Sequence, residues 1–276
     1  MIPARNPVIL VHGWNSHPGV WKSLGVRLTE AGIPFRTFDH SGMQEMALPA
    51  ISCALDSFLG DVRDENGWSG PLDIVCHSMG TCIARYLVEV LDGDTRAQAV
   101  RQLIGLGPPN NGSALAELFN DPVRGEAIIN RLTGVFVPQG YDPGGDLLVQ
   151  DVRPGSPVMQ SLRTAGLRPD ITYRVIVATN PAGIPGFFPW FGGKTWEIAA
   201  DGTYHPTLAG DGVVTHREAL LPGISLDVLS ASGEEDQHLP SPDQYCHIFL
   251  PKNPLVIDRI MEYLANGRSR NSPAVP

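Results

Sequence analysis

The strongest constraint on the fold of this chain is a serine placed between an apolar run and an amphipathic run. Residues 72–75 read Leu-Asp-Ile-Val, and residues 81–91 carry apolar side chains at helical spacing. The segment between them is Cys-His-Ser-Met-Gly, residues 76–80. It predicts a sharp strand-to-helix turn that holds Ser78 in a strained backbone conformation, with its hydroxyl exposed above a sheet. This arrangement is called a nucleophile elbow.

Residues two positions before and after an elbow serine must be small, because the strand and the helix nearly collide there. Gly80 meets this requirement. Cys76 stands where the pattern G-x-S-x-G has glycine, and it is compact enough to keep the interpretation. The alternative is a serine that N-caps a helix after a buried strand. The motif alone leaves both interpretations open.

Composition restricts the class of protein. A chain of 276 residues with 42% hydrophobic residues suits one large α/β domain, or a domain with an insertion. The net charge of −9 argues against a nucleic-acid partner, because phosphate binding requires clustered lysine and arginine. No apolar run reaches the ~18 residues of a membrane-spanning helix, so no transmembrane segment is expected.

The first apolar run begins almost at the start of the chain. The expected location is therefore cytoplasmic if the sequence is complete, and secretion is the alternative if it is a mature form. The spacing of Cys53, Cys76, Cys82 and Cys246 is not that of metal-ligand pairs. Buried free thiols are expected, with one disulfide as the alternative. Nothing in the sequence calls for a cofactor or a metal.

Apolar runs and amphipathic runs alternate along most of the chain. The predicted strands are residues 7–11, 34–39, 72–75, 100–106, 171–178 and 224–229, and the predicted helices are residues 20–31, 46–65, 81–91, 127–132 and 254–265. This alternation with short connections predicts an α/β fold with a parallel sheet and helices on both faces.

Three segments share their order with a known family. Residues 12–14 read His-Gly-Trp after the first strand, the elbow follows, and residues 109–113 read Pro-Asn-Asn-Gly-Ser. Together they resemble the lipase and esterase branch of the α/β-hydrolases, of the bacterial and archaeal triacylglycerol-lipase type. The likeness is continuous to about residue 120 and returns near Asp211.

The resemblance implies an α/β-hydrolase fold and an oxyanion hole. By that resemblance, the backbone N–H of Trp14 is one donor of the hole. The backbone N–H of Met79, the residue after the nucleophile, is the second. Some lipases of this type carry a structural calcium ion, but no acidic cluster in this sequence identifies such a site.

Two long segments interrupt the alternation within a single domain, residues 1–276. An insertion at about residues 121–168 would lie above the carboxyl ends of the strands, where open sheets bind ligands. It is interpreted as a cap or lid, with a purely structural excursion as the alternative. A loop at about residues 180–208 contains a group of four aromatic residues. These are Phe187, Phe188, Trp190 and Phe191.

The role of the aromatic group depends on whether its rings are exposed to water or buried. If exposed, it would form an apolar surface that binds substrate or contacts a lipid interface. If buried, it would fill a gap over the core. The substrate-binding interpretation is favoured, because the loop is expected near the rim of the active site.

The acid and the base follow from chain order. Asp211 lies between two glycines after the returning strand, which fits the order serine, acid, histidine, and its segment resembles Asp-Gly-Val-Val of the lipases. His247 lies after the last strand and before the closing helix, as the fold requires of the base. Weaker acids by position are Asp142, Asp146, Asp151 and Asp201, and the second choice of base is His238.

These residues predict a serine carboxylester hydrolase, a lipase or esterase, acting through an acyl-enzyme on Ser78 with medium to long acyl chains. The expected partner is a small-molecule or lipid ester, with transient contact to a lipid interface. Two alternatives stay open. One is a thioesterase or acyltransferase with the same triad, and the other is a catalytically silent α/β-hydrolase that serves as a binding module.

Overall fold

The computed structural model describes residues 6–231 and 239–266. Its strands are β1 (Val8–Val11), β2 (Phe35–Phe38), β3 (Leu72–His77), β4 (Val100–Leu106), β5 (Thr172–Thr179), β6 (Thr195–Ile198), β7 (Tyr204–Thr207) and β8 (Leu226–Ser230). Six of them form one sheet in the order β2-β1-β3-β4-β5-β8, and all its neighbours pair in parallel. The predicted parallel sheet is confirmed.

Burial explains why the central strands read as unbroken apolar runs. Every residue of β1 and of β3 is buried. A parallel strand is covered by helices on both faces, so it shows no alternation of polar and apolar residues. The elbow therefore lies at the end of one of the most deeply buried strands of the molecule.

Helices flank the sheet. They are α1 (Lys22–Glu30), α2 (Leu48–Asn66), α3 (Met79–Arg85), α4 (Ala114–Phe119), α5 (Gly125–Leu132), α6 (Leu147–Asp151), α7 (Pro157–Ala165), α8 (His216–Ala219) and α9 (Pro254–Asn266). Helix α1 contacts α9, and helix α2 contacts α3. All five helices expected from the sequence are present, and a π-helical segment, Tyr86–Leu91, extends α3.

Local signals set the ends of α2, the longest of the described helices. It begins at Leu48 with a proline in the first turn, and the N–H of Leu48 donates to Asp151 Oδ2 over 2.8 Å. It ends at Asn66 and is followed by Gly67, whose φ of 63° is the left-handed conformation that favours glycine at a helix end. Asp151, one of the weaker acids by position, thus caps a helix in the structure.

The insertion at residues 121–168 is helical. Besides α5 it contains α6 and α7, which the sequence analysis did not predict as helices. Asp146 caps α6 and Ser156 caps α7, each accepting a backbone N–H with its side chain. The loop at residues 180–208 contains the antiparallel hairpin of β6 and β7, which was also not predicted.

All four cysteines are free thiols, and three of them are buried. Cys53 is exposed on α2, so the expectation of a buried thiol is wrong at this position. In the part of the chain that the structure describes, no helix is long and apolar enough to cross a membrane. His238 and the tail after residue 266 lie outside the described residues.

Candidate active site

Ser78 occupies a one-residue turn. The strand β3 ends at His77 and the helix α3 begins at Met79, so only Ser78 joins them. Its φ of 54° and ψ of −130° are unfavourable for a residue with a side chain. The Ser78 side chain makes no capping hydrogen bond to α3, which excludes the N-cap interpretation.

Close packing of the elbow explains the small residues around it. A Cβ at Gly80 would overlap the carbonyl oxygen of His12 and lie 2.8 Å from that of Val11. Cys76 is fully buried in β3, where it pairs with Val11 and with Gly105 of β4. Burial raises the pKa of the Cys76 thiol well above its ordinary value, so this cysteine stays protonated and acts as a packing residue.

A chain of hydrogen bonds joins Ser78 to His247 and Asp211. His247 Nε2 lies 2.9 Å from Ser78 Oγ, and His247 Nδ1 lies 2.8 Å from Asp211 Oδ2. His247 and Asp211 are both buried. A carboxylate can only accept, so Nδ1–H donates to Asp211 and Nε2 is left to accept the serine hydroxyl. The structure therefore brings together the three side chains that the sequence analysis selected.

The loop of Asp211 is held from two sides. Asp211 Oδ1 accepts the N–H groups of Val213 and Val214, at 3.0 and 2.7 Å. The N–H of Gly212 donates to Thr195 Oγ1 over 2.8 Å. Because Oδ1 is occupied in this way, Oδ2 is the oxygen that faces His247.

The strand end at residues 12–14 lies against the elbow. A Cβ at Gly13 would come within 3.0 Å of Ser78 Cβ, so only glycine fits without a shift. His12 is neutral because burial lowers its pKa. His12 Nε2 accepts the N–H of His40, so Nδ1 carries the proton and donates to the carbonyl of Gly13 over 2.9 Å. That carbonyl and the N–H of Trp14 belong to one rigid peptide plane, which fixes the direction of this N–H.

Met79 is the first residue of α3, and such a residue has no acceptor for its N–H within the helix. Trp14 and Met79 both line the cavity beside Ser78. Their backbone N–H groups are thus available at the site. Their role as oxyanion donors stays a prediction.

An apolar cavity of about 230 Å³ opens at Ser78. One wall comes from α4, through Leu115, Ala116 and Phe119. Residues of the insertion also line the cavity, and these are Val135, Phe136, Val149 and Val152. The Ser78 hydroxyl therefore lies beside a pocket whose lining suits an apolar group.

The group of four aromatic residues does not belong to this cavity. Within the described residues, the cavity lining includes none of the four. Phe187 and Phe188 are fully buried, Phe191 is 8% exposed, and Trp190 is partly buried. The interpretation as a substrate-binding or lipid-contacting surface is wrong, because these rings pack on one another and on the core.

Phe188 has a second contact that gives the aromatic group a structural role. A Cβ at Gly212 would lie 2.8 Å from Phe188 Cβ, so the ring presses on the backbone next to Asp211. Phe188 also stacks edge-on with Trp190, with ring centroids 5.0 Å apart. The aromatic group therefore packs against the loop of Asp211, through Phe188, and supports it.

Gly107, which directly follows β4, contacts the site in a way that the sequence did not indicate. Its φ is 53°, and a Cβ there would lie 2.5 Å from Asp211 Oδ2 and 3.0 Å from His247 Nδ1. Gly107 thus makes room for the hydrogen bond between Asp211 and His247. Its only signal in the sequence is a glycine directly after a predicted central strand.

The other histidines have different environments. His216 Nε2 donates to the carbonyl of Ala178 over 2.9 Å, and His205 is exposed on the hairpin. His17 accepts the N–H of Gly19 at the start of a helical turn. Of the remaining acids by position, Asp146 caps α6 and Asp201 is exposed.

Comparison with known structures shows the same fold. The chain is similar to a Bacillus licheniformis lipase, BlEst2 in mature form, at 19% identity and a TM-score of 0.66, covering 95% of this chain and 93% of that one. It is similar to the phospholipase PlaB of Legionella pneumophila at 17% identity and a TM-score of 0.63, covering 93% of this chain and 59% of that one. It is also similar to Aspergillus fumigatus lipase B, at 14% identity and a TM-score of 0.61, covering 95% of this chain and 53% of that one.

At these identities the likeness establishes the α/β-hydrolase fold and leaves the substrate open. A comparison with curated protein sequences found no match. The sequence model of the Hydrolase_4 family, described as serine aminopeptidase, S33, matches residues 2–148. This match spans more than half of the chain and includes the elbow, and the chain accordingly belongs to the Hydrolase_4 family of α/β-hydrolases.

Proposed function

We propose that this hydrolase cleaves carboxylic esters through an acyl-enzyme on Ser78. The observation that supports this best is the hydrogen-bonded chain of Ser78, His247 and Asp211 at the edge of an apolar cavity. A nucleophile, a base and an orienting carboxylate in this arrangement suit acyl transfer. The apolar lining suits the acyl part of an ester.

The mechanism follows from the geometry. The Ser78 hydroxyl attacks the ester carbonyl while His247 Nε2, at 2.9 Å, takes its proton. Asp211 accepts from Nδ1–H and stabilises the imidazolium that forms. His247 then gives the proton to the departing alcohol, and water repeats the sequence on the acyl-enzyme. The N–H groups of Trp14 and Met79 would stabilise the oxyanion by about 3 kcal/mol each.

The insertion at residues 121–168 is proposed to cap the acyl pocket. Asn15 Nδ2 donates to the carbonyl of Phe136 over 2.6 Å, and Phe136 lines the cavity. Trp14 Nε1 donates to Asp146 Oδ2 over 2.8 Å. The insertion is therefore bonded to the same strand end that carries the proposed oxyanion donor.

An apolar pocket favours longer acyl chains, because each buried CH₂ contributes ~0.8 kcal/mol. We infer a preference for medium to long chains over acetate. Hydrolysis of p-nitrophenyl esters from acetate to palmitate, and of an emulsified triglyceride, tests this. A preference for acetate would contradict it, and activation by the emulsion would support contact with a lipid interface.

Labelling by a fluorophosphonate, with Ser78→Ala as the control, tests the reaction class. We expect the wild-type protein to be labelled and the variant to remain unlabelled. Absence of labelling in both would favour a silent binding module. A thioester hydrolysed much faster than the ester of the same acyl chain would assign the site to a thioesterase.

A further inference from the structure

His77, the residue before the proposed nucleophile, reaches the backbone of the proposed base. Its Nε2 lies 3.0 Å from the carbonyl oxygen of His247. A carbonyl can only accept, so Nε2 carries the proton. Among the described residues, Nδ1 of His77 has no hydrogen-bond partner, which suits an unprotonated nitrogen. The contacts thus select one tautomer of His77.

His77 also stays neutral. Burial lowers the pKa of His77 well below its ordinary value, and the nearby His247 acts in the same direction. The two rings are 4.7 Å apart between centroids. A charged neighbour at this distance would oppose the positive charge that His247 acquires when it takes the serine proton. A neutral N–H donor avoids that conflict.

The backbone of His247 is bonded on both sides. Its N–H donates to the carbonyl of Asp211 over 2.8 Å, and its own carbonyl accepts from His77. His247 starts a 3-10 helical segment, His247–Lys252, a conformation with poorer internal hydrogen bonds than an α-helix. The local segment alone therefore restrains the position of the imidazole weakly. The two long-range hydrogen bonds provide the remaining restraint.

We propose that His77 is a positioning residue, whose Nε2–H bond to the His247 carbonyl ties the base to the elbow and keeps Nε2 of His247 within reach of Ser78. This inference rests on the proposed function, because it assigns His247 as the base. The same residue thus precedes the nucleophile in the chain and holds the base in space.

Three substitutions of His77 separate this bond from packing. His77→Gln places an amide N–H near the position of Nε2. His77→Leu is similar in size and has no donor. His77→Asn is polar, but its shorter side chain leaves the N–H short of the carbonyl. If His77→Leu does not fold, His77→Asn takes its place in the comparison.

Kinetics with p-nitrophenyl butyrate should distinguish the variants. We expect His77→Leu and His77→Asn to lower kcat by up to about 10²-fold with KM little changed, because a base displaced by about 1 Å loses this much. His77→Gln should restore most of kcat. An equal loss of kcat in all three variants, accompanied by a lower Tm, would overturn the proposal, since that result shows a structural role only.

A spectroscopic measurement on the resting protein tests the bond without any substrate. The Nδ1–H proton of His247, bonded to Asp211, should give a downfield ¹H NMR resonance. We expect this resonance in the wild-type protein and in His77→Gln, and a shifted or broadened one in His77→Asn. An unchanged resonance in His77→Asn, together with unchanged kcat, would refute the positioning role.

Failure of the proposed function would look different. It would appear in the wild-type protein itself, as absence of ester turnover and of fluorophosphonate labelling at Ser78. The comparison of the NMR resonance between variants would still decide whether His77 holds His247.

Discussion

Ser78 holds a backbone conformation that costs about 1–3 kcal/mol, so the surrounding packing must enforce it. Gly13 and Gly80 supply that packing by letting the end of β1 approach the elbow. The strained turn leaves the serine hydroxyl facing His247. The proposed reactivity of Ser78 thus depends on the absence of side chains at Gly13 and Gly80.

The three proposed catalytic side chains should each be essential for hydrolysis. Ser78→Ala and His247→Ala should each lower kcat for a p-nitrophenyl ester by about 10⁶-fold and Asp211→Asn by about 10⁴-fold, because nucleophile, base and tautomer control act as one unit. Circular dichroism should show folded variants. If His247→Ala keeps its activity while His238→Ala loses it, the base is His238.

Gly107→Ala should impair catalysis, and Gly67→Ala is its matched control. Gly107 and Gly67 both have positive φ, at 53° and 63°, so alanine at either position costs roughly 1–2 kcal/mol of backbone strain. Only at Gly107 would the new Cβ also meet Asp211 Oδ2, at 2.5 Å. We expect the strain to lower Tm in both variants, with a further loss of Tm and a large fall of kcat in Gly107→Ala alone. Equal kcat values in the two variants would contradict this contact.

At the scale of elements, the insertion at residues 121–168 and the aromatic loop at residues 180–208 have different neighbours. The insertion contributes Phe136 to the cavity and is bonded to Asn15. The aromatic loop instead packs Phe188 behind the loop of Asp211. The first segment should therefore influence substrate choice, and the second should influence the alignment of the acid for every substrate.

Asn15→Asp and Phe188→Leu test this division. Asn15→Asp keeps the size of the side chain and its tolerance of the φ of 45°, but it replaces the amide that donates to Phe136. We expect a higher KM for p-nitrophenyl octanoate and little change for acetate, since each CH₂ that loses contact costs ~0.8 kcal/mol. Phe188→Leu should lower kcat for both esters by the same factor. The reverse pattern would return the aromatic loop to the substrate pocket.

Stability of the whole molecule should depend on buried histidines. His40 stacks on His12 with ring centroids 3.9 Å apart. Burial, with a smaller contribution from His12, lowers the pKa of His40 from 6.5 to about 4. A histidine that binds its proton more weakly when folded contributes stability above pH 6.5, and this contribution is lost as the pH falls toward 4. The unfolded chain binds more protons throughout that window.

Thermal unfolding between pH 7 and pH 4 measures this effect. We expect Tm of the wild-type protein to decrease as the pH is lowered. His40 should contribute a loss of up to about 1.4 kcal/mol of unfolding free energy per pH unit. His40→Gln should show a shallower dependence, while the same change at the exposed His205 should leave the slope as in the wild type. Identical slopes in the wild type and His40→Gln would refute the role of His40.

Much of this protein is determined by local sequence. The apolar run of β3 and the amphipathic run after it required a turn at Ser78, and chain order selected Asp211 and His247. The strands of the six-stranded sheet and five of the helices follow from periodicity and from signals such as the glycine after α2. These features depend on residues that are close together in the chain, so a single sequence is sufficient to predict them.

Only the tertiary structure decided which side chains meet. Ser78 and His247 are 169 positions apart in the chain, and the 2.9 Å between their side chains depends on strand order and on long-range bonds. The roles of Gly107 and His77 arise from contacts with distant residues, which no local pattern encodes. Burial of the aromatic loop was likewise undecided, because an apolar run reads the same whether water or the core covers it.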